Sequence, residues 1–287
     1  MVRKILVPLD GSEQAEAILP EARLLASPDA EIHLLHVTPL PTPPTGEPTR
    51  LLGLHEMALP YLEKARRLVP GARGLDLVRS GAPAEAILQV ALEMNIDLVA
   101  MTTHARKGLG RWALGSVAEA VVRRTELPVL LKRPEVAART SPLRRILVPL
   151  DGSERSAAVL QTVTPIAAAS GAEIVLLHVT PRVPDPAPQW AMAGPISVTG
   201  APAHRYQEIA DRLEEADLTA WSVMAEGDAA EQILERSREL DVDLIAMATH
   251  GRTGLSRVLF GSVTQEVLRR SDRPLLLIRP TKGAIHE

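Results

Sequence analysis

The chain contains two copies of one sequence pattern, and this duplication limits its fold more than any other feature. Residues 3–13 and 144–154 are identical at ten of eleven positions, and residues 98–134 and 244–280 at 20 of 37. The repeat period, roughly 145 residues, is far longer than the ~20–50 residues of a solenoid unit. We therefore predict a duplicated globular domain and not a repeat array.

The length and composition agree with two globular domains. The chain has 287 residues, of which 46% are hydrophobic and 23% charged, and a domain averages roughly 150 residues. Each half is therefore long enough to bury a core of its own. Between the copies, residues 133–142 are polar, small and flanked by prolines, which is typical of a linker. We predict one domain over residues 1–136 and a second over residues 143–282.

The composition also excludes several classes of function. The net charge is −3 and the chain has no cysteine, so we expect no nucleic-acid or membrane partner, no disulfide, no thiol catalysis and no zinc–thiolate site. No apolar run approaches the ~18 residues of a membrane span, and the apolar start is too short for a signal peptide. Aromatic residues make up 2% of the chain, which argues against binding by stacked aromatic rings. We expect a soluble, cytoplasmic protein.

One further bias of the composition concerns temperature. Arginine far outnumbers lysine, prolines number 24, and Asn95 is the single asparagine. This profile fits a heat-adapted protein from a thermophile, although a GC-rich genome would produce much of it.

Short apolar runs alternate with helical patterns in each copy. Such alternation predicts an α/β fold with a parallel, doubly wound sheet, whose ligands bind outside the carboxyl ends of the strands. In the first copy the predicted strands are residues 5–7, 32–37, 75–78, 96–101 and 129–132, and the predicted helices are residues 13–26, 51–69, 83–93 and 116–124.

The first strand of each copy ends in Pro-Leu-Asp, with aspartates at Asp10 and Asp151. Because proline has no N–H donor, we expect Pro8 and Pro149 where the hydrogen-bond ladder of the sheet stops. The aspartate then points into the crevice. An alternative is that Asp10 caps the next helix, with Glu13 completing a capping box, and the position alone does not decide between the two.

The second strand of each copy ends in Leu-His-Val, at residues 35–37 and 177–179. A histidine that closes an apolar strand is either a ligand or general base, or a side chain that is simply hydrogen-bonded where it emerges. No cluster of histidines and carboxylates at metal-ligand spacing surrounds it. We favour the hydrogen-bonded interpretation.

A loop rich in glycine and arginine follows the fourth strand, at residues 101–117 and 247–263, and Gly-Ser then opens a helix. Free N–H groups at a helix start, flanked by arginines, form an anion site that suits phosphate. The alternative is a capping box, because Ser116 and Ser262 are each followed three residues later by Glu or Gln. A helix cap does not require a preceding loop of this length that contains glycine and arginine, so we favour phosphate binding.

Together these motifs resemble the universal stress protein family. The resemblance rests on Val-Pro-Leu-Asp-Gly-Ser, Leu-His-Val and Met-x-Thr-His-Gly-Arg-x-Gly-Leu-x-Arg…Gly-Ser-Val, and it covers both halves almost end to end. It implies two tandem Rossmann-like domains of the adenine nucleotide alpha hydrolase type. Each would be a five-stranded parallel sheet of order 3-2-1-4-5 with helices on both faces. It also implies an intrachain pseudo-dimer that pairs residues 129–132 with 275–278, and leaves open a homodimer of whole chains.

The resemblance further implies one ATP at each crevice. Nucleotide-binding members carry Gly-x-x-Gly, nine residues, and then Gly-Ser or Gly-Thr. The second copy has Gly251, nine residues and Gly261, with Ala248 in place of the first glycine. The first copy has Thr102 and Ala105 where the family has glycines. Because alanine disfavours positive φ, these changes leave open whether the first domain binds ATP, and we expect ATP at both.

The resemblance assigns roles to the strand ends and to the loop. The site aspartates would contact the ribose or the adenine edge, the backbone after the second strand would read adenine, and the glycine loop would hold the triphosphate. We add four arginines because charge-assisted contacts suit phosphate, with solvated loop charges as the alternative. The expected nucleotide-binding residues are Pro8, Leu9, Asp10, Val37, Met101, Thr102, His104, Ala105, Arg106, Arg111, Gly115, Ser116 and Val117, and Pro149, Leu150, Asp151, Val179, Met247, Ala248, His250, Gly251, Arg252, Arg257, Gly261, Ser262 and Val263.

No catalytic residue is expected, because no carboxylate is placed to activate water beside the phosphates. Mg²⁺ would be bridged by phosphate oxygens and not held by protein side chains. We therefore expect an ATP-binding stress-response or signalling module rather than a fast enzyme. The alternatives are a nucleotide-free or half-occupied dimerising interaction protein, and a slow ATP hydrolase. The proline-rich loops 38–50 and 180–204 are interpreted as spacers, with nucleotide lids as the alternative.

Overall fold

The computed structural model describes residues 2–38, 49–103, 114–139, 141–182, 201–249 and 260–280, except for the side chains of residues 49–56 and 201–203. The chain divides into two compact units, residues 1–142 with 274–279, and residues 143–273 with 280–287. Across the described ranges, no helix combines the length and apolar character that a membrane crossing requires.

The first unit alternates strands and helices around a parallel sheet. The strand order is β3-β2-β1-β4-β5, and each neighbouring pair is parallel. Most side chains of β1, β2, β4 and β5 are buried, as expected of strands covered on both faces. The elements are β1 (Lys4–Leu9), α1 (Glu13–Glu16), α2 (Leu19–Leu25), β2 (Glu31–Thr38), α3 (Thr49–Arg66), β3 (Asp76–Ser80), α4 (Pro83–Glu93), β4 (Leu98–Thr102), α5 (Ser116–Arg124) and β5 (Val129–Lys132).

The second unit has the same design. Its parallel strands lie in the order β9-β6-β7-β8. Its elements are β6 (Arg145–Pro149), α6 (Glu154–Ala157), α7 (Val159–Ser170), β7 (Glu173–Thr180), α8 (Ala201–Glu215), β8 (Ala220–Glu226), α9 (Ala229–Glu239), β9 (Leu244–Ala248) and α10 (Ser262–Arg270). One more strand, β10 (Leu275–Ile278), falls in the segment grouped with the first unit, where it pairs antiparallel with β5.

These observations confirm the predicted α/β class with parallel sheets. One expectation about the helices is wrong. The helix predicted over residues 13–26 is two helices, α1 and α2, separated at Ala17 and Ile18. Pro20 lies in the first turn of α2, where its missing N–H costs no hydrogen bond. The second unit breaks in the same way at Ala158, with Gln161 in place of the proline, so proline is not required for the break.

The expectation that proline marks the end of the ladder holds on one side of the strand only. Pairing of β1 with β4 covers Ile5 and Leu6 and stops before Pro8. Pairing of β1 with β2 continues through Pro8 and Leu9, which lie opposite Leu35 and His36. Proline therefore lies in the part of β1 that has a partner on one side alone, so a missing donor is tolerated.

Candidate functional site

The carboxyl ends of β1, β2 and β4 in the first unit border a cavity of about 260 Å³, closed by the first turns of α4 and α5. This is the crevice where ligands of doubly wound sheets bind. Every predicted site residue of the first unit that the structure describes lines this cavity, namely Pro8, Leu9, Asp10, Val37, Met101, Thr102, Gly115, Ser116 and Val117.

The second unit has an equivalent cavity of about 300 Å³ at the ends of β6, β7 and β9. Its lining repeats the first position by position, so the duplication of the sequence is also a duplication of the crevice. The predicted residues that line it are Pro149, Leu150, Asp151, Val179, Met247, Ala248, Gly261, Ser262 and Val263.

Eight predicted site residues belong to the two glycine-containing loops and lie outside the described residues. They are His104, Ala105, Arg106 and Arg111 in the first unit, and His250, Gly251, Arg252 and Arg257 in the second. Of the proline-rich loops considered as lids, residues 38–50 and 180–204, the stretches 39–48 and 183–200 also lie outside them. The roles expected of all these residues stay predictions.

The site aspartate supports a helix cap but is not the cap. Oδ1 of Asp10 accepts hydrogen bonds from the backbone N and the hydroxyl of Ser12, at 3.0 and 2.6 Å. Ser12 is the N-cap of α1, and its hydroxyl accepts from the backbone N–H of Ala15. The alternative that Asp10 itself caps the helix is therefore wrong, because the chain needs two more residues to turn into α1.

Asp151 makes the same contacts in the second unit. Its Oδ1 accepts from the backbone N and the hydroxyl of Ser153, at 2.9 and 2.6 Å, and Ser153 caps α6. In both units the turn fixes one carboxylate oxygen against the protein. The same side chain lines the cavity, so the turn determines where the negative charge is held.

The helices that close the cavities begin at glycines, which have no side chain with which to cap them. The N-cap residues of α5 and α10 are Gly115 and Gly261, with no side-chain cap hydrogen bond. The capping-box alternative for Ser116 and Ser262 is therefore wrong, because these serines are already the first helical residues. Backbone N–H groups in the first turn lack intrahelical acceptors, and here they face a cavity. Such a helix start attracts anions.

Neither glycine is required by the conformation of the free protein. Gly115 has φ −55° and Gly261 has φ −60°, values that any residue adopts. Among the described residues, the nearest atom to a Cβ built on Gly261 is the Thr249 carbonyl oxygen, at 4.0 Å. Neither backbone conformation therefore calls for glycine, and the missing side chain leaves each helix start without a Cβ beside the cavity.

The histidines at the ends of β2 and β7 are hydrogen-bonded to the preceding strand. Nδ1 of His36 lies 2.9 Å from the Leu9 carbonyl oxygen, and Nδ1 of His178 lies 2.8 Å from that of Leu150. This geometry confirms the interpretation that these histidines are hydrogen-bonded where they emerge from the strand. Among the described residues, no three histidine or carboxylate side chains form a group that could hold a metal ion.

Sequence reasoning missed a tyrosine beside each of these histidines. The ring of Tyr206, from α8, stacks on His178 with centroids 4.6 Å apart. The ring of Tyr61, from α3, meets His36 edge to face at 5.8 Å. Burial and the nearby Glu16 carboxylate raise the pKa of the Tyr61 hydroxyl well above its usual range. These two are the only tyrosines in the chain, and each lies in the helix that follows the second strand of its copy. This repeated placement is the sequence feature that could have revealed them.

Several further lining residues, most of them apolar, were also missed. They come from the neighbouring strand and from the cavity-facing sides of helices, where an apolar residue is typical of ordinary core. They occupy equivalent positions in the two copies, which a position-by-position comparison would have revealed. The missed residues are Ala15, Leu35, Pro83, Ile87 and Ala118 in the first unit, and Ser156, Leu177, Ala229, Ile233 and Thr264 in the second.

Each cavity therefore combines three chemical surfaces. Its walls are mainly apolar, and the aspartate is the only charged side chain among the described residues that line it. The open helix start supplies N–H donors on another side. A ligand complementary to these surfaces has an apolar part, a hydrogen-bond donor for the carboxylate and an anionic group for the helix start.

The chain matches a family model along nearly its whole length. The model described as the universal stress protein family matches residues 1–133 and 142–279. A universal stress protein of Mycolicibacterium smegmatis is 24% identical over 296 residues, covering 96% of this chain and 97% of that protein. A universal stress protein of Methanocaldococcus jannaschii is 29% identical over 143 residues, covering 48% of this chain and 84% of that protein.

Solved structures show the same fold. The structure of a universal stress protein from Archaeoglobus fulgidus DSM 4304 superposes with a TM-score of 0.74 at 20% identity, covering 97% of this chain and 98% of that one. A structure described as a putative universal stress protein from Pseudomonas aeruginosa UCBPP-PA14 has a TM-score of 0.65 at 20% identity, covering 97% and 94%. Both similarities extend across the two units, in agreement with a tandem arrangement.

Proposed function

Because the chain belongs to the universal stress protein family, we propose that each of its two units binds one ATP molecule. The protein then acts as a nucleotide-dependent stress-response module rather than a fast enzyme. The observation that carries this proposal is the pairing, in each cavity, of an aspartate at the end of the first strand with an uncapped helix start.

The three surfaces of the cavity match the three parts of a nucleotide. Adenine fits the apolar wall beside Met101 or Met247 and reaches the backbone at Val37 or Val179. The ribose hydroxyls donate to the aspartate carboxylate, which is a charge-assisted and therefore strong hydrogen bond. The phosphates meet the first-turn N–H groups of α5 or α10.

The loop residues complete the proposed phosphate site. Ala105 and Gly251 would donate backbone N–H groups, and Arg106, Arg111, Arg252 and Arg257 would supply positive charge. In this scheme Mg²⁺ would bind the phosphate oxygens and keep several waters.

The same geometry argues against efficient hydrolysis. A general base must reach the attacking water, and the only acidic side chain among the described lining residues of each cavity is the aspartate. Its Oδ1 already accepts two hydrogen bonds from the serine two residues later. The proposed role of this side chain is therefore to hold the nucleoside.

The proposal is tested by counting nucleotides. The protein is purified without added ligand and denatured, and released adenine nucleotides are quantified per chain; stripped protein is then titrated with ATP by calorimetry. We expect two sites per chain. A count of one would assign binding to a single unit, which variants at Gly115 and Gly261 identify. No released nucleotide and no heat of ATP binding would overturn the proposal in favour of a nucleotide-free interaction protein.

A further inference from the structure

We propose that His36 with Tyr61, and His178 with Tyr206, are positioning pairs that set the affinity of the two nucleotide sites. They do so by holding the peptide group that leads into Asp10 or Asp151. This inference rests on the proposed function, and it adds four residues that are not among the described residues lining the two cavities.

Each histidine is hydrogen-bonded to the carbonyl oxygen of the residue before the site aspartate. A carbonyl oxygen only accepts, so Nδ1 must carry the hydrogen that it shares with the Leu9 or Leu150 oxygen. That carbonyl belongs to the peptide bond whose nitrogen is that of Asp10 or Asp151. The bond therefore fixes the plane of the last peptide before the site aspartate. Leu150 is also tied through its own N–H to the Leu177 carbonyl oxygen, at 2.8 Å.

Each tyrosine ring packs against the ring of its histidine. Tyr206 is 3% exposed, and its ring lies nearly parallel to that of His178, at 26°. Its hydroxyl lies 3.5 Å from the same Leu150 oxygen. Since burial removes competing water, the short Nδ1 contact is held in one geometry.

The helix that carries the tyrosine also lies beside the turn that follows the site aspartate. In the second unit, Nη1 of Arg205 donates to the Gly152 carbonyl oxygen at 3.1 Å, directly after the site aspartate. In the first unit, Glu16 and Asp10 act electrostatically on the Tyr61 hydroxyl, which places it beside the same turn. In the second unit, the turn at the site aspartate is thus contacted from one side by His178, through the Leu150 carbonyl oxygen, and from the other by α8, through the Gly152 carbonyl oxygen.

The test measures ATP affinity at one site at a time. A Gly115→Val background closes the first unit and leaves the second. In that background we expect His178→Leu to weaken ATP binding about tenfold, the loss equivalent to one well-placed hydrogen bond. His178→Asn should recover most of the affinity, because its amide N–H reaches the position of Nδ1–H. Tyr206→Phe keeps the stacked ring and should change affinity little, whereas Tyr206→Leu should weaken it.

A second histidine of β2 provides the matched control. His33 is 2% exposed, but its ring bonds Glu31 and accepts from the Leu75 N–H, and it is not among the residues that line the cavity. In a Gly261→Val background, which leaves the first unit, His33→Leu should lower the melting temperature without changing ATP affinity. His36→Leu should change affinity.

The outcomes separate this inference from the proposed function. If the background proteins bind ATP but His178→Leu and Tyr206→Leu bind it equally well, the positioning role is overturned and the nucleotide sites stand. If His178→Leu does not fold, an affinity for Tyr206→Leu equal to that of the background has the same meaning. If the unmodified chain binds no ATP, the proposed function fails and this inference fails with it.

Discussion

Nζ of Lys132 lies 2.6 Å from Oε1 of Glu21, and the two side chains are 0% and 3% exposed. Lys132 also donates to the Ala17 carbonyl oxygen, at 3.0 Å. The backbone N–H of Arg139 donates to the same Glu21 oxygen, at 3.3 Å. One buried ion pair thus joins the end of β5, the helix α2 and the segment that follows β5. Burial nevertheless raises the pKa of the Glu21 carboxyl, despite the nearby ammonium.

Removing the lysine alone should destabilise the first unit strongly. The equivalent positions in the second copy hold Ile278 and Thr162, so its fold does without the pair. We expect Lys132→Met to cost about 3–5 kcal/mol, because it leaves a buried carboxylate without its cation. The double variant Lys132→Ile with Glu21→Thr should recover most of that loss. Urea unfolding of the three proteins measures both effects, and equal losses for the single and double variants would contradict the expectation.

Acid should destabilise the protein partly through His33. Burial lowers the pKa of His33 despite its contact with Glu31, whereas the unfolded chain titrates near 6.5. Between the folded and unfolded values, the unfolded state holds the proton and the folded state does not. Stability should therefore fall as the pH drops below about 6.5. Melting temperatures at pH 7.5 and 5.5 should differ less for His33→Leu than for the parent, and an equal difference would assign the effect to other groups.

Closing a helix start should empty one site without unfolding the protein. The space around Gly261 accepts a Cβ, and its φ is ordinary, so Gly261→Ala should melt at the parent temperature. Gly261→Val adds two further methyl groups at the phosphate position and should reduce bound nucleotide from two per chain to one. Gly115→Val is the reciprocal control. Two nucleotides retained in Gly261→Val would show that this helix start is not the phosphate site.

The charge of the site aspartate can be separated from its structural role. In Asp151→Asn, Oδ1 can still accept from the backbone N and the hydroxyl of Ser153, so the melting temperature should be unchanged. Loss of the negative charge should weaken ATP binding at the second site about tenfold or more. Asp151→Ala should lower both affinity and melting temperature. Calorimetry in the Gly115→Val background decides, and parent-like affinity of Asp151→Asn would exclude a carboxylate contact.

The sequence predicted the fold well because the constraints on it are local and repeated. Short apolar runs of β-forming residues are typical of strands buried on both faces, and the duplication repeats each of them. The bounds of the α1–α2 segment were less predictable. An apolar stripe over residues 13–26 does not reveal that the chain breaks at Ala17, since the same residues face the core in one helix or in two.

Some residues around the cavities could be predicted from the sequence and others could not. The strand ends and the Gly-Ser helix starts could be placed because topology gathers them at one edge of the sheet. The cap residues could not, because a shift of two residues along the chain, from Asp10 to Ser12, changes which hydroxyl or carboxylate faces the helix. Tyr61 and Tyr206 were missed because their contacts join distant parts of the chain, and a tyrosine in an amphipathic helix is typical of core.

Gly115 and Gly261, the two N-cap glycines, have φ values that any residue adopts, so each copy can change at this position independently of the other. Because φ is ordinary at both glycines, a side chain added there should change what the crevice admits without straining the backbone. Under the proposed function, one substitution at either glycine would leave a chain with a single nucleotide site. The unaltered copy, in the same chain, then provides the reference against which ligand binding by the altered copy can be compared.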